Sequence, residues 1–420
     1  MSGLALSPSD RAMLAGEETG AEQIAMRILV AVAEALGARE LLDISGAHID
    51  SCLFHGMAGL DFAERLVAEG GRVAVPTTLN VTSLDLLHPE LHRGDTEHAA
   101  EATRLVAAYE ALGGRATWTC APYQLEQRPA FGDQVAWGES NAIVFANSVL
   151  GARTERYGDF TDICAAITGR APAAGLHLDA GRRGGIIFEL VDVPDEVIAS
   201  DALYPVLGHL IGYEAGQRVP VIVGLESATE DQLKALGAGA ASSGAVAMFH
   251  AVGITPEAPT LEAALGGAAE VPTVTVTAED LIRARDDLST VPNGPLGAVA
   301  LGTPHASAAE LERVARLFGS HQVAATVECS INTGRDVLAS SSAGDALLEA
   351  GVEIVTDTCT YLKPIMSVEP GQVMMTDSAK WAYYAPSNIG AQVVFGSTED
   401  CVASAIAGEI TRSDRWWDGN

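Results

Sequence analysis

The stretch Leu296-Gly297-Ala298-Val299-Ala300-Leu301-Gly302-Thr303-Pro304-His305 decides the fold class of this chain. The apolar run up to Leu301 predicts a buried strand, and Gly302 and Pro304 end that run in a loop. Residues 308–318 then predict a helix. A strand, a loop with polar side chains and a helix, in this order, are typical of an α/β unit with a parallel sheet.

Strand, polar loop and helix recur along the chain, so we expect an α/β protein of several units with mainly parallel sheets. In such sheets ligands bind beyond the carboxyl ends of the strands, where these loops lie by this interpretation. We expect an N-terminal α/β domain over 1–200 with the main motif loops, an α/β domain over 201–320, and a C-terminal α/β unit over 321–420 that completes the site. Besides a helix that begins at Pro8 behind Ser7, the predicted helices cover 21–36, 61–69, 96–112, 229–236, 333–350 and 398–407, and the predicted strands cover 41–44, 72–75, 116–119, 219–224, 245–252, 322–327, 352–356 and 393–395.

The composition limits what the protein binds. The chain has 420 residues, a net charge of −30 and a pI near 4.5, and such a surface repels nucleic acid phosphates and anionic lipids. The N-terminus has no basic segment before a long apolar core, and no apolar run approaches the about 20 residues of a membrane span, so we expect a cytoplasmic protein. An anionic substrate would need a metal or local positive charge, for which the candidates are Arg153, Arg182, Arg183, Lys363 and Lys380.

A polar block in the first third of the chain is typical of a site wall. It runs from Cys120-Ala121-Pro122-Tyr123 through Trp137-Gly138-Glu139-Ser140-Asn141 to residues 145–153. Apolar stretches alternate there with Glu, Asn, Ser and Arg, which are costly to bury without partners. Glu139 has two interpretations: a buried carboxylate with a raised pKa, or an acceptor of backbone N–H groups. His48 can likewise transfer a proton near neutral pH or serve as a hydrogen-bonded structural residue.

The six cysteines show no CxxC pair and no disulfide-dense spacing, so we expect reduced thiols. Cys52, Cys120 and Cys359 each follow a predicted strand and lie in polar loops. Either they are buried structural thiols, or they hold an iron–sulfur cluster, whose ligands need not be close in sequence. Three cysteine ligands would leave one iron open as a Lewis acid toward a hydroxyl group. These residues alone favour neither interpretation.

Several motifs together resemble the aconitase X family, hydro-lyase relatives of aconitase. They are the polar block and residues 45–52, 78–80, 301–305, 357–359 and 376–380, in the family's order and over nearly the whole chain. The resemblance implies an aconitase-like α/β fold that lacks the small swivelling domain, with a [2Fe-2S] or [4Fe-4S] cluster held by Cys52, Cys120 and Cys359. It also implies a partner, a separate small subunit of about 130 residues that supplies a serine base.

The pattern resembles the family's bacterial cis-3-hydroxy-L-proline dehydratases most. Relatives that use mevalonate phosphate carry a cysteine where this chain has Thr303 and lack one where it has Cys52. The implied activity is that of a hydro-lyase large subunit that converts cis-3-hydroxy-L-proline to Δ1-pyrroline-2-carboxylate by α-proton abstraction and iron-assisted loss of the hydroxyl. We predict Glu139 and His48 as catalytic residues. The predicted substrate-binding residues are Asp50, Ser51, Asn80, Tyr123, Ser140, Asn141, Asn147, Arg153, His305 and Lys380.

Other functions stay open at this point. A mevalonate 5-phosphate dehydratase would share the family pattern and need a phosphate pocket. A non-catalytic iron–sulfur scaffold or sensor would bind the cluster with four protein ligands, for which Cys401 is available. A metal-free binding protein is a further alternative. The sequence leaves the cluster nuclearity, the third ligand, the proton-abstracting base and the subunit stoichiometry undetermined.

Overall fold

The computed structural model describes residues 3–225, 227–268, 270–362, 365–366 and 368–413. The chain forms two compact units: one holds the residues up to Leu84 and Asp95–Arg183, and the other holds Asp85–Gly94 and the chain from Gly184 onward. The candidate cation Lys363, and Trp416-Trp417, for which packing is expected, lie outside the described residues. The domain boundaries at 200 and 320 stay predictions. Within the described ranges, no helix is both long and apolar enough to cross a membrane.

A parallel sheet positions the polar loops of the first unit. The strands of this unit are Leu41–Asp43 (β1), Ala47–Ile49 (β2), Thr77–Leu79 (β3), Ala136–Trp137 (β4) and Arg170–Pro172 (β5). β2 lies between β3 and β4 and runs parallel to both, whereas β1 pairs antiparallel with β5. The helices are Pro8–Ala15 (α1), Gly20–Ala35 (α2), Met57–Ala68 (α3), Thr96–Ala111 (α4), Ser140–Phe145 (α5) and Thr161–Thr168 (α6), with a π-helical turn at Ala146–Leu150 and 3-10 turns at Pro122–Gln124, Gly175–His177 and Asp179–Arg182.

The structure corrects several strand predictions in this unit. Segment 72–75 is irregular, and the strand begins after Pro76, at β3. Segment 116–119 is not a strand either, because Trp118 has a φ of 42°. Residues 50–52 follow β2, a strand that was not predicted, and His48 lies inside it. Short apolar runs locate the neighbourhood of a strand, but the pairing partner decides which residues form it.

The second unit contains two parallel sheets. Its strands are Ile186–Leu190 (β6), Pro220–Val223 (β7), His250–Ala251 (β8), Thr273–Val276 (β9), Leu296–Ala306 (β10), Glu328–Thr333 (β11), Glu353–Val355 (β12), Val373–Thr376 (β13) and Val393–Phe395 (β14). One sheet has the order β8-β7-β6-β9 and the other the order β12-β11-β10-β13-β14. The helices are Asp195–Ile198 (α7), Leu203–Ala215 (α8), Glu230–Ser243 (α9), Leu261–Leu265 (α10), Ala278–Asp287 (α11), Ala308–Phe318 (α12), Arg335–Ser340 (α13), Ala343–Glu349 (α14), Ala379–Ile389 (α15) and Thr398–Ala407 (α16), with a 3-10 turn at Pro89–Leu91.

The central strand of the five-stranded sheet is β10, which contains the buried strand predicted to end at Leu301. The chain adds β11 and β12 on one side of β10 and β13 and β14 on the other, which creates a topological switch point at the carboxyl end of β10. α12 buries Leu311, Val314 and Phe318, at helical spacing, in the same core as Val299 and Ile331 of the sheet.

Helices with a capping signal at their start were predicted best in this unit, and elements without such a signal were predicted worst. The predicted helices 308–318 and 398–407 are confirmed, and each begins with a serine capping box. Segment 322–327 is irregular, and the strand is β11 instead. The predicted helix 333–350 is two helices, α13 and α14, because Ser341 adopts an extended conformation between them.

Candidate active site

The carboxyl ends of β2, β3 and β4 carry polar residues, as expected for a parallel sheet. Asp50 follows β2, Asn80 follows β3 and Glu139 lies just after β4. The side-chain amide of Asn80 donates a hydrogen bond to Asp50 Oδ1, so the loops after two of the strands are joined directly.

Asp162, which the sequence analysis missed, holds the segment after β2 in place. Its buried carboxylate accepts hydrogen bonds from the backbone N–H groups of Asp50 at 2.7 Å and Ser51 at 3.3 Å, and from the Ser51 hydroxyl at 3.1 Å. The Tyr109 hydroxyl lies 2.7 Å from Ser51 Oγ. Gly138 makes room for this arrangement, since a Cβ there would lie 2.7 Å from Asp162 Oδ2.

Burial sets the protonation states around Cys52. It raises the pKa of Asp162 to about 6, although hydrogen bonds from backbone N–H groups oppose the shift. Burial also raises the pKa of the Cys52 thiol well above its ordinary value, and the charges of Asp50 and Asp162 raise it further. The thiol lies 3.2 Å from the carbonyl oxygen of Ile49 and 3.3 Å from that of Asn80. Cys52 is therefore held as a neutral thiol here, and its role as a cluster ligand stays a prediction.

His48 is fully buried in β2. Burial lowers its pKa to about 3, so the imidazole is neutral at neutral pH. Its Nδ1 lies 2.8 Å from Thr78 Oγ1. His48 Nε2 and Asn80 Oδ1 are both buried and form no hydrogen bond of good geometry among the described residues. The Asn80 side chain nevertheless interacts with the imidazole, which opposes the fall in the pKa of His48.

The polar block forms a connected network. The side-chain amide of Asn141 donates to the Cys120 carbonyl at 2.9 Å and to the Glu139 carboxylate, and its oxygen accepts from the Tyr123 hydroxyl at 2.6 Å. Glu139 is 4% exposed and caps α5, accepting from a backbone N–H of that helix at 2.8 Å and from the Ser140 hydroxyl at 3.2 Å. Of its two interpretations, the acceptor of backbone N–H groups is the one that these contacts favour.

Two of the candidate cations in the first unit, Arg153 and Arg182, bind to groups of that same unit. The buried Arg182 donates to Asn147 Oδ1 at 3.0 Å, and Asn147 bonds both the N–H and the carbonyl of Thr154. Arg153 forms an ion pair with Asp179 at 2.5 Å. Asn147 and Arg182 thus fix the backbone after the polar block, and substrate contact by Asn147 and Arg153 stays a prediction.

In the second unit, a polar network lies at the carboxyl ends of β10 and β11. Asn332 Nδ2 donates to Thr303 Oγ1 at 3.1 Å and to Thr360 Oγ1 at 3.4 Å. The Trp381 ring N–H also donates to Thr360, at 3.0 Å. Gly302 allows the close approach of the strands, because it has a φ of +75° and a Cβ there would lie 2.2 Å from the Asn332 carbonyl oxygen.

His305 and Cys359 are positioned by these same strand ends. His305 Nε2 lies 3.0 Å from the carbonyl oxygen of Thr358. Because a carbonyl oxygen only accepts, we assign the ring proton to Nε2 and the lone pair to Nδ1. Asp357 pairs through both carboxylate oxygens with Arg335, which fixes the turn that leads to Cys359, a residue only 1% exposed.

Lys380 lies in the first turn of α15, and its side chain is buried. The residue is 3% exposed. Ser378 caps this helix by accepting from the N–H of Trp381 at 3.1 Å and donates to the carbonyl of Thr303. The cation therefore stands on a helix whose start is tied to the end of β10.

Cys120, His305 and Cys359 are buried, and each offers one atom that could be a metal ligand. Thiolate and imidazole suit an iron–sulfur cluster. His305 fits in a second respect, because metal-bound histidines commonly bond their other ring nitrogen to a carbonyl or carboxylate. Cys120 and Cys359 are among the predicted metal ligands, whereas His305 is a predicted substrate-binding residue.

Asp162 and Asn332 were missed by the sequence analysis although a signal for each exists. Asp162 stands in the first turn of the otherwise apolar α6, and Asn332 ends a buried strand. A polar side chain in an apolar element is costly to bury without a partner, so both positions indicate an internal hydrogen-bond network.

Models of the aconitase X domains match the chain along its length: the first domain over 3–180, the second over 186–286 and the third over 296–407. The chain belongs to the aconitase X family. The predicted family and the aconitase-like α/β fold are confirmed, and the described residues show no small swivelling domain.

Characterised relatives cover nearly the whole chain. The cis-3-hydroxy-L-proline dehydratase of Pseudomonas aeruginosa is 43% identical over 409 residues, which cover 96% of this chain and 70% of that protein. The enzyme of the same name from Hypocrea jecorina is 41% identical, covering 96% of this chain and 69% of that protein. The phosphomevalonate dehydratase large subunit of Methanothermobacter thermautotrophicus is 37% identical, covering 93% and 96%.

A solved structure gives the same assignment. The crystal structure of Thermococcus kodakaraensis aconitase X in its holo form has a TM-score of 0.85 and 31% identity, and the match covers 96% of this chain and 100% of that chain. Since the relatives are dehydratases, the prediction of a hydro-lyase is confirmed.

Proposed function

We propose that this chain is the large subunit of a cis-3-hydroxy-L-proline dehydratase. The observation that carries the proposal is the identity of 43% and 41% to two enzymes of that name over 96% of the chain. The phosphomevalonate dehydratase large subunit from Methanothermobacter thermautotrophicus, at 37%, makes that activity the second candidate.

A separate small subunit completes the enzyme in this proposal. The chain matches 96% of a relative that is itself named a large subunit, which supports the same division of labour here. We infer that the small subunit carries the swivelling domain and a serine that abstracts the α-proton. His48 is a weak base, with a pKa of about 3, and the Glu139 carboxylate caps a helix, which supports a base from outside this chain.

The reaction removes the α-proton and the C3 hydroxyl of the substrate as water, and the enamine that remains tautomerises to Δ1-pyrroline-2-carboxylate. When bound at Cys120, His305 and Cys359, an iron–sulfur cluster would supply Lewis-acid chemistry to the departing hydroxyl. The buried Lys380 would bind the carboxylate of the substrate.

The first unit would hold the remaining polar groups of the substrate. His48 lies in β2 and Asn80 follows β3, both are buried, and we infer that they contact these groups. Asp162 would keep Asp50 and Ser51 in position through its hydrogen bonds to their backbone N–H groups. A cytoplasmic location stays a prediction.

Anaerobic co-expression with the small subunit tests the proposal. The purified complex should contain iron and sulfide and should dehydrate cis-3-hydroxy-L-proline with a higher kcat/KM than mevalonate 5-phosphate. The opposite preference would make the second candidate the correct one, and full activity of the isolated large chain would refute the division into subunits. A substrate-induced change in the visible spectrum distinguishes the enzyme from a scaffold, whose cluster has four protein ligands.

A further inference from the structure

Lys234 on α9 is a buried cation that the proposed reaction does not use. It is 3% exposed, although lysine is almost never fully buried without a partner. Its Nζ lies 3.0 Å from Asp231 Oδ1 and contacts the carboxylate of Glu310. The two carboxylates are partly exposed, and an ion pair that takes a lysine out of water is often less stabilising than an apolar side chain of the same volume, so stability alone does not explain Lys234.

The ions lie against the main chain of a metal-ligand candidate. Lys234 Nζ is 3.5 Å from the carbonyl oxygen of His305. Its partner Glu310 accepts from the N–H of Ser307 at 2.8 Å, and the Ser307 hydroxyl donates to Asp231 at 2.7 Å. Lys234, Asp231 and Glu310 therefore bind the main chain of His305 and the Ser307 residue that follows β10.

The side of residues 303–307 that faces Lys234 is not filled by side chains. A cavity of about 420 Å³ lies there, and Thr303, Lys234 and Glu310 are among its lining residues. Residues 303–306 are held by β10 itself and by hydrogen bonds from Asn332, Thr333 and Ser378. The ion pairs and hydrogen bonds of Lys234 add a restraint on the side that faces the cavity.

We propose that Lys234 is a positioning residue for His305. It acts through the His305 carbonyl and the Ser307 turn, and it fixes the place of the imidazole relative to Cys359. The inference rests on the proposed function, since it assigns Lys234 to the support of a metal ligand. Loss of a residue that orients a metal ligand without binding the metal itself typically lowers metal affinity about 10–100-fold.

Two variants and two controls test this. Lys234→Met removes the cation, and Lys234→Met with Glu310→Gln removes the unpaired acid as well, in case the single variant does not fold. Arg313→Met is the matched control, because Arg313 lines the same cavity but pairs with Asp201 and Glu399. Lys234→Arg keeps the charge and should restore most of the wild-type behaviour.

Two measurements separate the inference from the proposed function. Iron retention against a chelator, followed by visible absorption after anaerobic reconstitution, should fall about 10–100-fold in the Lys234→Met variants and stay unchanged in Arg313→Met. Hydrogen exchange of the peptide that spans 303–307, which needs no metal, should accelerate in the same variants. Folded variants with wild-type iron retention would overturn the inference. If the wild-type protein takes up no iron, the metal part of the proposed function fails, and unchanged exchange would then overturn the positioning role separately.

Discussion

Replacing His48 with glutamine should make the protein more resistant to acid unfolding. The side chain is fully buried in β2 beside Thr78, and burial lowers its pKa from 6.5 to about 3. The unfolded chain therefore takes up a proton at this position below about pH 6.5, whereas the folded chain does so only near pH 3. Stability is lost as the pH falls through that window, because protonation favours the unfolded state.

The pKa shift gives the size of the effect. Each pKa unit corresponds to about 1.4 kcal/mol, so the loss is about 2 kcal/mol at pH 5 and about 4 kcal/mol at pH 3. Glutamine does not titrate and keeps a polar group near Thr78. The advantage of the variant over the wild type should therefore grow by about 2 kcal/mol between pH 7 and pH 5.

Urea unfolding at both pH values measures this difference, and hydrogen exchange of peptides that contain Ala47–Ile49 identifies the transition in which β2 opens. His55→Gln is the control, because His55 is exposed. A difference between His48→Gln and the wild type that does not change with pH would show that His48 is not buried as a neutral imidazole.

Three further predictions concern the candidate site. Cys359→Ser should abolish iron binding after anaerobic reconstitution, whereas Cys401→Ser, a buried thiol in α16, should leave the iron content unchanged. Asp162→Asn should lower the free energy of unfolding by about 1–3 kcal/mol, since an amide cannot replace all of the accepted hydrogen bonds, and the exposed Asp159→Asn should change it little in the same urea titration. Gly302→Ala should lower the melting temperature more than Gly371→Ala. Both positions have φ above +70°, but only a Cβ at 302 would meet a neighbour, the Asn332 carbonyl oxygen at 2.2 Å. Equal effects would show that backbone strain at positive φ alone is responsible.

The sequence predicts those elements whose signals lie within the element itself. The helices 308–318 and 398–407 carry serine caps and acidic third residues, and the helix that begins at Pro8 carries the same signal at Ser7. Strand positions were predicted less well. Segments 72–75 and 322–327 are apolar enough for strands, but the parallel partners in each sheet pair with the residues that follow them.

In the candidate site, too, residues with a local sequence signal were predicted, whereas residues whose partners are distant in sequence were not. Cys52, Cys120 and Cys359 were predicted as metal ligands because each follows a predicted strand in a polar loop, a local signal, and because of the family resemblance. Asp162 lies more than 100 residues from the loop that it holds, and Lys234 lies 76 residues from Glu310. Lys234 also pairs with Asp231 three residues away, but the sequence does not show that Asp162 contacts Asp50 or that Lys234 contacts Glu310, so these roles depend on the fold.

The charges of the protein favour a substrate of low net charge. The chain carries −30, and its own groups already engage several of its buried or half-buried cations: Arg182 at Asn147, Arg153 at Asp179 and Lys234 at Asp231. The sources of positive charge that we propose for a substrate are the buried Lys380 and a metal held by Cys120, His305 and Cys359. One lysine and one metal suit a zwitterionic amino acid with a single carboxylate and a hydroxyl. A substrate with both a phosphate and a carboxylate would meet the same acidic surface with several more negative charges, and its approach would be opposed more strongly.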